Sequence, residues 1–501
     1  MERYILFPGR HHVLTLFQAE YLRELAGDGV TVVWAVTSAN HENTKRNPVP
    51  YDRREAAIER FSMLEGLRSL VVPVFDTAYT GRFAEVTVKN IAATLGLSLT
   101  PANTVVACST PEVADLYRQL GFTIAGVEAS RARVPPRPWD VLLALAAGDP
   151  GWTKLAHPAT VDVFERYGLV AHIRTVVGDP VVGDEGGLTT TRDYRSYAEA
   201  FEDSAARKWD AVRRYVRPGR IVDIGCGAGA VLALADREPA LRESDLIGVE
   251  VARHLYEECV HRKAQGAFAN PNVFFYQRNV LGGAVFPPRS VDTTLTFALT
   301  HEIWSYGSRL DSVRRFARAI YDHTVPGGVW LNSDVCGPEG KDATVTLRLS
   351  TMDGENPGKA RDDLETVSRE EVTRYVAGLS TRARFDQFVV DYRFPVPFEA
   401  HGDEVVRVRL ADAMDFLTRK DYPDNWLSET HEQFCGLAYP DWVEVLTGVG
   451  FEVDPASHAW RNDWVVDNRI APVASLSTLD GRPLDWPVTH VLLVARRPVG
   501  T

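Results

Sequence analysis

The chain of 501 residues lacks the features that mark several classes of protein. Its longest apolar run, Val141 to Ala147, is far shorter than the roughly 20 residues that a membrane span needs. The opening segment has too short an apolar stretch for a secretory signal. The five cysteines form no C-x-x-C pair, which argues against a disulfide framework and against a structural zinc site. These absences predict a cytoplasmic protein with reduced thiols.

The chain also lacks a surplus of positive charge. Lys and Arg total 55 against 67 Asp and Glu, so the net charge is −12. Such a surface repels phosphate backbones, and we expect neither a nucleic-acid partner nor a membrane partner. The 45% hydrophobic and 24% charged residues are typical of a globular protein, and the length predicts two or three domains.

Apolar strands alternate with amphipathic helices in both halves of the sequence. This pattern predicts the α/β class, with two doubly wound, Rossmann-like domains whose parallel sheets are covered on both faces. We predict a first domain over residues 1–170, a linker over 171–196 and a second domain over 197–501. A long insertion at about 337–438 is predicted to form a cap on the second domain.

The segment RIVDIGCGAGAVLALAD (220–236) is the most informative in the chain. It predicts a short buried strand, a tight turn through Gly225, Cys226, Gly227 and Gly229, and then a helix. Glycines allow backbone conformations that a Cβ forbids and a close approach to a ligand. The first turn of the helix would present free N–H groups at the same place.

Two carboxylates flank this turn. Asp223 stands two residues before the first glycine and suits an ammonium group, whereas Glu250 ends the next predicted strand. An acid at the end of that strand can accept both hydroxyls of a ribose. The glycine spacing is G-x-G-x-G, which differs from the G-x-G-x-x-G of dinucleotide-binding domains.

The order of acid, G-x-G-x-G and acid resembles class I S-adenosylmethionine-dependent methyltransferases, from about Tyr197 to the C-terminus. The resemblance implies S-adenosylmethionine as cofactor and no metal. Asn279 stands after the third strand, where the family often has an adenine-contacting Asp. The residues that the resemblance assigns to the cofactor are Asp223, Gly225, Cys226, Gly227, Gly229, Glu250, Asn279 and Val280.

The predicted reaction site is the segment 300–306 after the fourth strand, taken as a loop at the carboxyl end of the sheet. His301 is the predicted catalytic base, because an imidazole accepts a proton near neutral pH, with Glu302 orienting it or acting itself. The alternative is that His301 only caps or packs. Asp334, at the end of the fifth strand, is expected to be structural.

Other side chains are candidates for the acceptor pocket. Trp304 and Tyr306 either line that pocket or belong to the core. His431, followed by Glu432 near the end of the insertion, either faces the acceptor or lies in solvent. The sequence leaves both alternatives open.

The opening segments FPGRHHVLTLFQAEYL (7–22) and AVTSANHENTKRNPVPYDRRE (35–55) resemble the nucleotidyltransferase superfamily, in particular archaeal-type nicotinamide-mononucleotide adenylyltransferases. The H-x-G-H motif of that family is degenerate here, because Leu14 and Thr15 replace its glycine and second histidine. This implies a domain for binding or assembly, which either holds a nucleotide or only dimerises. The candidate nucleotide contacts are Arg10, His11, His12, Lys45 and Arg46.

The first resemblance implies methyl transfer from S-adenosylmethionine to a small molecule, and the pairing of the two resemblances fits the biosynthesis of specialised metabolites, in which an acceptor can be carried as a nucleotide conjugate. Two alternatives remain: a bifunctional nucleotidyltransferase and methyltransferase, and a scaffold that binds S-adenosylmethionine without turnover. The acceptor atom (O, N or C) and the oligomeric state, including a homodimer, stay open.

Overall fold

The computed structural model describes residues 3–27, 29–76, 81–126, 135–177, 204–280 and 286–500. The chain folds into two compact units, Met1–Val182 with Tyr276–Arg278, and Gly183–Phe275 with Asn279–Thr501. Most of the predicted linker, residues 178–196, and the first residues of the predicted second domain lie outside the described ranges. Within those ranges, no helix has both the length and the apolar character that crossing a membrane requires.

The first unit contains a five-stranded parallel sheet in the order β3-β2-β1-β4-β5. Val32 and Trp34 pack on one face of β2, whereas Val33 and Ala35 pack on the other, so both faces are buried as predicted. The strands are β1 (Arg3–Gly9), β2 (Val30–Thr37), β3 (Arg68–Val74), β4 (Thr104–Ala107) and β5 (Thr123–Ala125). The helices are Leu16–Leu25, Tyr51–Glu65, Phe83–Leu95, Pro111–Gln119, Pro138–Ala146, Pro158–Arg166 and Leu169–Val177.

The second unit is built on a larger sheet of parallel and antiparallel strands, in the order β14-β17-β10-β9-β6-β7-β8, with β15 beside β17. Strands β7, β6, β9 and β10 are parallel, and β17 is antiparallel to β10. The strands of this sheet are β6 (Arg220–Ile224), β7 (Asp245–Glu250), β8 (Val273–Gln277), β9 (Val291–Phe297), β10 (Thr324–Val335), β14 (Glu452–Val453), β15 (His458–Trp460) and β17 (His490–Arg496).

Helices cover the sheet of the second unit, and their apolar sides form its core with the strands. The described part of the first helix runs from 204 to 212, and Trp209 and Val212 on it are buried in this core. The other helices of this part of the unit are Ala230–Ala235, Arg253–Ala264, Thr300–Tyr306, Leu310–His323, Tyr439–Val449 and Asp463–Val465.

The predicted insertion forms a cap with an antiparallel sheet of its own, in the order β12-β13-β11-β16. These strands are β11 (Thr344–Leu349), β12 (Phe398–Ala400), β13 (Val405–Arg409) and β16 (Ala474–Ser477). The cap helices are Arg369–Gly378, Thr381–Asp391, Leu410–Leu417 and Trp426–Glu429. Ser368 accepts a hydrogen bond from the Glu371 N–H, which caps the first of these helices as its position predicts.

The cap differs from the prediction in that two segments of the chain build it. The prediction confined the cap to residues 337–438, but β16 comes from a later segment and pairs with β11. Leu476 on β16 is buried in the cap core together with Ile470 and Val466. Long-range strand pairing and this burial hold the second segment, and neither leaves a local signal in the sequence.

We predict that Leu476→Ala lowers the free energy of unfolding by about 2–5 kcal/mol, because it removes a buried side chain from the cap core. Leu479→Ala, two residues beyond β16 and 52% exposed, should change it by no more than about 0.5 kcal/mol. Urea unfolding of the full chain measures both. Equal effects would show that the second segment is not part of the cap core.

Candidate functional site

The order of the strands in the second unit reverses between β6 and β9, which lie side by side in the sheet. Open α/β sheets bind their ligands outside the carboxyl ends of the strands at such a switch point. The glycine turn follows β6 at this edge, and the helix that carries His301 follows β9. The candidate site therefore lies where both the fold and the sequence motifs place it.

Gly225, Gly227 and Gly229 all have a positive φ, at 75°, 55° and 81°. Residues with a Cβ rarely adopt this region, so the turn needs glycine at all three positions. Gly229 is also the N-cap of the helix Ala230–Ala235, and a Cβ there would touch Cys259 and Phe275. Cys226 is buried between the glycines.

Glu250, at the end of β7, accepts a hydrogen bond from this turn. Its Oε2 accepts the N–H of Gly227 at 2.9 Å, and its Oε1 accepts the N–H groups of Val251 at 2.8 Å and Ala252 at 2.9 Å. Burial raises the pKa of Glu250 to about 7, although the N–H groups of Ala252 and Gly227 oppose the shift. Both acceptor sites of Oε1 are thus occupied, and Oε2 keeps one for a hydrogen bond from a ligand.

Asp223 is buried on β6, and no group within the described ranges donates a hydrogen bond to its Oδ1. Burial raises the pKa of Asp223 to about 7, the ammonium of Lys208 lowers it, and the charge of Glu250 raises it further. Burial also lowers the pKa of Lys208 to about 8. A buried carboxylate oxygen without a donor is costly, so this position suits a cationic donor from a ligand.

The remaining predicted cofactor residues continue along the same edge of the sheet. Asn279 is buried just after β8, the neighbour of β7, and Val280 follows it half-buried. The structure thus brings the predicted cofactor residues to the ends of three neighbouring strands. The sequence did not single out Lys208, which is on the helix before β6.

Residues Thr300–Tyr306 form a helix and not the predicted loop. The reason is Asp334 at the end of β10, whose Oδ2 accepts the N–H of Thr300 at 2.6 Å and the N–H of His301 at 3.3 Å. These are N–H groups that the first turn of a helix cannot satisfy internally. Asp334 is therefore structural, as predicted, and it also contacts the imidazole of His301.

His301 lies between two buried carboxylates. Its Nδ1 is 2.7 Å from Asp334 Oδ1, and its Nε2 is 3.2 Å from Glu432 Oε2. Burial disfavours the imidazolium, but the charges of Asp334 and Glu432 outweigh burial and raise the pKa of His301 well above its usual value. For Asp334, burial acts in the opposite direction, and the nearby imidazolium prevails and lowers its pKa.

The cap loop that carries Glu432 also forms hydrogen bonds with two aromatic side chains of the helix Thr300–Tyr306. The hydroxyl of Tyr306 donates to Glu432 Oε1 at 3.3 Å, and Trp304 Nε1 donates to Gln433 Oε1 at 2.7 Å. A Cβ at Gly436 would overlap the ring of Trp304, so that ring packs directly on the loop backbone. Glu302 is buried in the first turn of the helix.

The structure does not bring His431 into this cluster. Its Nε2 lies 3.9 Å from Glu365 Oε1, and the Glu365 side chain is 78% exposed. Phe434 belongs to this cluster, although the sequence did not indicate it. Its ring packs edge-on against the imidazole of His301, with 4.8 Å between the ring centres. Neither the choice between His431 and Glu432 nor the position of Phe434 has a local signal in the sequence.

In the first unit, two of the five candidate nucleotide contacts, Arg10 and His11, also contact the backbone. The guanidinium of Arg10 donates to the carbonyl of Arg46 at 3.0 Å, and the ring of His11 contacts the carbonyl of Phe7 at 3.0 Å. Burial, together with the charges of Arg54 and Arg10, lowers the pKa of His12 well below its usual value. His12 is buried near the ring of Trp139, at 6.2 Å between ring centres.

No model of a known protein family matches the chain, and no curated protein matches it. Solved structures are similar over part of it. An S-adenosylmethionine-dependent methyltransferase from Mesorhizobium loti matches 59% of this chain and 100% of its own, at 16% identity and a TM-score of 0.33. The YcgJ protein from Bacillus subtilis matches the same shares, at 13% identity and a TM-score of 0.33. At these identities and scores, the matches assign neither an activity nor a ligand.

We predict that Asp223→Asn raises the melting temperature of the ligand-free protein at pH 8 and raises it by less at pH 5. A carboxyl whose pKa is about 7 in the folded chain keeps a proton that the unfolded chain releases near pH 4. Stability therefore falls as the pH rises from about 4 to 7, and the amide removes this loss. Calorimetric melting at the two pH values measures it, and an equal shift at both would contradict the assigned pKa.

Proposed function

We propose that the second unit binds S-adenosylmethionine and transfers its methyl group to a small molecule. The observation that carries this proposal is the carboxylate of Glu250, which holds the N–H of Gly227 at 2.9 Å at the switch point of the sheet. The open acceptor site on Oε2 of Glu250 suits a hydroxyl of a ribose. The Oδ1 of Asp223, buried without a donor, suits the ammonium group of the methionine portion.

The residues of the turn fit the rest of this cofactor. Gly225, Gly227 and Gly229 have no Cβ to obstruct a ligand that lies against their backbone, and Asn279 offers an amide to a base. The site is also acidic, with Asp223, Glu250 and Glu302 buried in it. A sulfonium nucleoside with an ammonium group brings two positive charges to this environment, which favours its binding.

When bound, S-adenosylmethionine supplies an electrophilic methyl group on a sulfonium. The task of the chain is then to align the acceptor and to exclude water. Trp304, Gln433 and Phe434 are proposed to do this, because they join the helix after β9 to the cap loop above it. The acceptor is expected to reach the cofactor from this side.

His301 is an unfavourable base while both of its ring nitrogens contact carboxylates and its pKa is raised. We propose that it orients Glu432 and that a protonated acceptor transfers its proton to a carboxylate. Glu302 and Glu432 are the buried carboxylates available for that step. This assignment retains Glu302 in the catalytic role that the sequence indicated and makes His301 a positioning residue.

We predict that the full chain binds S-adenosylhomocysteine and that Glu250→Gln weakens the binding at least tenfold, because the amide cannot accept from both the ribose and the turn. Glu257→Gln is the matched control, since Glu257 lies on the next helix in an exposed ion pair with Arg253. Isothermal titration calorimetry measures all three proteins. Absence of binding to the unaltered chain, or equal binding by Glu250→Gln, would contradict the proposal.

Detection of a methylated product distinguishes a methyltransferase from a scaffold that binds the cofactor without turnover. Metabolite extracts incubated with methyl-labelled S-adenosylmethionine and the full chain should yield a labelled small molecule by mass spectrometry. Binding of the cofactor with no labelled product from any extract would favour the scaffold.

For the first unit we propose a role in binding or assembly without catalysis. Arg10 and His11 are engaged with backbone carbonyls, which leaves His12, Lys45 and Arg46 as contacts for a nucleotide-linked ligand. Leu14 and Thr15 are buried where the resembling family has a glycine and a histidine, so the second imidazole that would hold phosphates has no equivalent.

We predict that pyrophosphate release from labelled nucleoside triphosphates, tested with candidate acceptors, is no faster with the full chain than with its His12→Ala variant. Circular dichroism checks that the variant is folded. Release that His12→Ala abolishes would favour the bifunctional alternative over a non-catalytic first unit.

A further inference from the structure

A group of side chains of the types that ligate metals lies beside the proposed cofactor residue Glu250. One ligand atom from each of His301, Glu302 and Glu432 lies within 4.8 Å of the other two. Two of the residues come from the helix after β9 and the third comes from the cap loop. All three are largely or fully buried, unlike the carboxylate clusters that are common on protein surfaces.

The separations suit a single ion. Two adjacent ligands at bond lengths of about 2.1 Å on one dication are about 3.0 Å apart, and opposite ligands are about 4.2 Å apart. His301 Nε2 and Glu432 Oε2 are 3.2 Å apart, which matches an adjacent pair. A third ligand atom within 4.8 Å needs to move by only about half an ångström to reach the opposite position.

Outer contacts already orient the ligands. Asp334 Oδ1 accepts a hydrogen bond from Nδ1 of His301 at 2.7 Å, and this leaves Nε2 facing Glu432 at 3.2 Å. Ligating histidines usually have such a carboxylate partner on the second ring nitrogen, which fixes the tautomer and the ring plane. The hydroxyl of Tyr306 holds the second oxygen of Glu432, and Phe434 packs against the imidazole.

We propose that His301 Nε2, Glu302 and Glu432 bind one divalent transition-metal cation, of the class of Mn²⁺, Fe²⁺ or Zn²⁺. One imidazole with two carboxylates suits these ions, whereas Mg²⁺ and Ca²⁺ prefer sites made entirely of oxygen. Three carboxylates, counting Asp334, surround one imidazole here, so a dication relieves the excess negative charge. Binding of the cation itself does not rest on the proposed function.

Three protein ligands leave coordination positions open on such an ion. We infer that an open position takes a hydroxyl or carboxylate oxygen of the acceptor, and that the oxygen of Glu302 that does not ligate the cation keeps the proton-accepting role; this step alone rests on the proposed function. A cation also joins the helix after β9 to the cap loop, because Glu432 lies on that loop. It would thereby fix the cap over the reacting groups.

The test is titration of the chelator-stripped full chain with Mn²⁺, followed by the electron paramagnetic resonance signal of the free ion. We expect one Mn²⁺ per chain, displaced by Zn²⁺ but not by equal Mg²⁺, and partial quenching of the tryptophan fluorescence. Glu432→Gln, which preserves the shape of the side chain, and His301→Asn should each weaken binding at least tenfold. His431→Asn is the matched control and should bind as the unaltered chain does.

Several results would overturn the proposal. If no Mn²⁺ binds at millimolar concentration, the cluster is an internal ion pair only. The same conclusion would follow if Glu432→Gln bound Mn²⁺ with the affinity of the unaltered chain. A cooperative melting transition measured by circular dichroism shows that each variant is folded. If His301→Asn does not fold, the Glu432→Gln variant alone is sufficient for the test. S-adenosylhomocysteine binding, measured separately on the stripped chain, distinguishes failure of this proposal from failure of the cofactor proposal.

Discussion

The hydrogen bond from the glycine turn to Glu250 is the interaction on which the candidate site depends. It joins the end of β7 to the turn that follows β6, so two neighbouring strands present their ligand-binding atoms together. Burial of the carboxylate is costly, and the N–H groups of Gly227, Val251 and Ala252 offset part of that cost. The turn itself is possible only because three glycines adopt a positive φ.

A second set of buried charges connects the core of the second unit to its cap. Asp334 accepts the N–H of Thr300 in the first turn of the helix Thr300–Tyr306, and it also contacts His301. His301 in turn contacts Glu432 on the cap loop. The cap fixes that loop from its own side. Asp415 accepts the N–H of Phe434 at 2.8 Å, and Arg419 pairs with Asp415 at 2.9 Å and covers the ring of Phe434. The acceptor side of the site is thus held by residues from distant parts of the chain.

Local patterns were sufficient for the parts of the fold in which neighbours along the chain decide the structure. The strand, glycine turn and helix around 220–236 follow from composition and spacing, and so does the carboxylate that ends β7. The helix Thr300–Tyr306 did not follow, because the acid that satisfies its first N–H groups lies 33 residues beyond His301. The pairing of β16 with β11 is equally long-range.

The environment of the predicted catalytic residues was beyond sequence reasoning for the same reason. The sequence offered His301 as a base with an ordinary pKa, whereas two carboxylates from β10 and from the cap loop raise that pKa. His431 and Glu432 are adjacent, and only the path of the cap loop decides which of them faces the core.

The central claim is that Glu250 and Asp223 bind the ribose and the ammonium group of a sulfonium nucleoside. A crystal structure of the full chain with S-adenosylhomocysteine tests it most directly. The account predicts a ribose hydroxyl within hydrogen-bonding distance of Oε2 of Glu250, and the amino group on Asp223. A nucleoside bound elsewhere, or bound here with its ribose away from Glu250, would contradict the account.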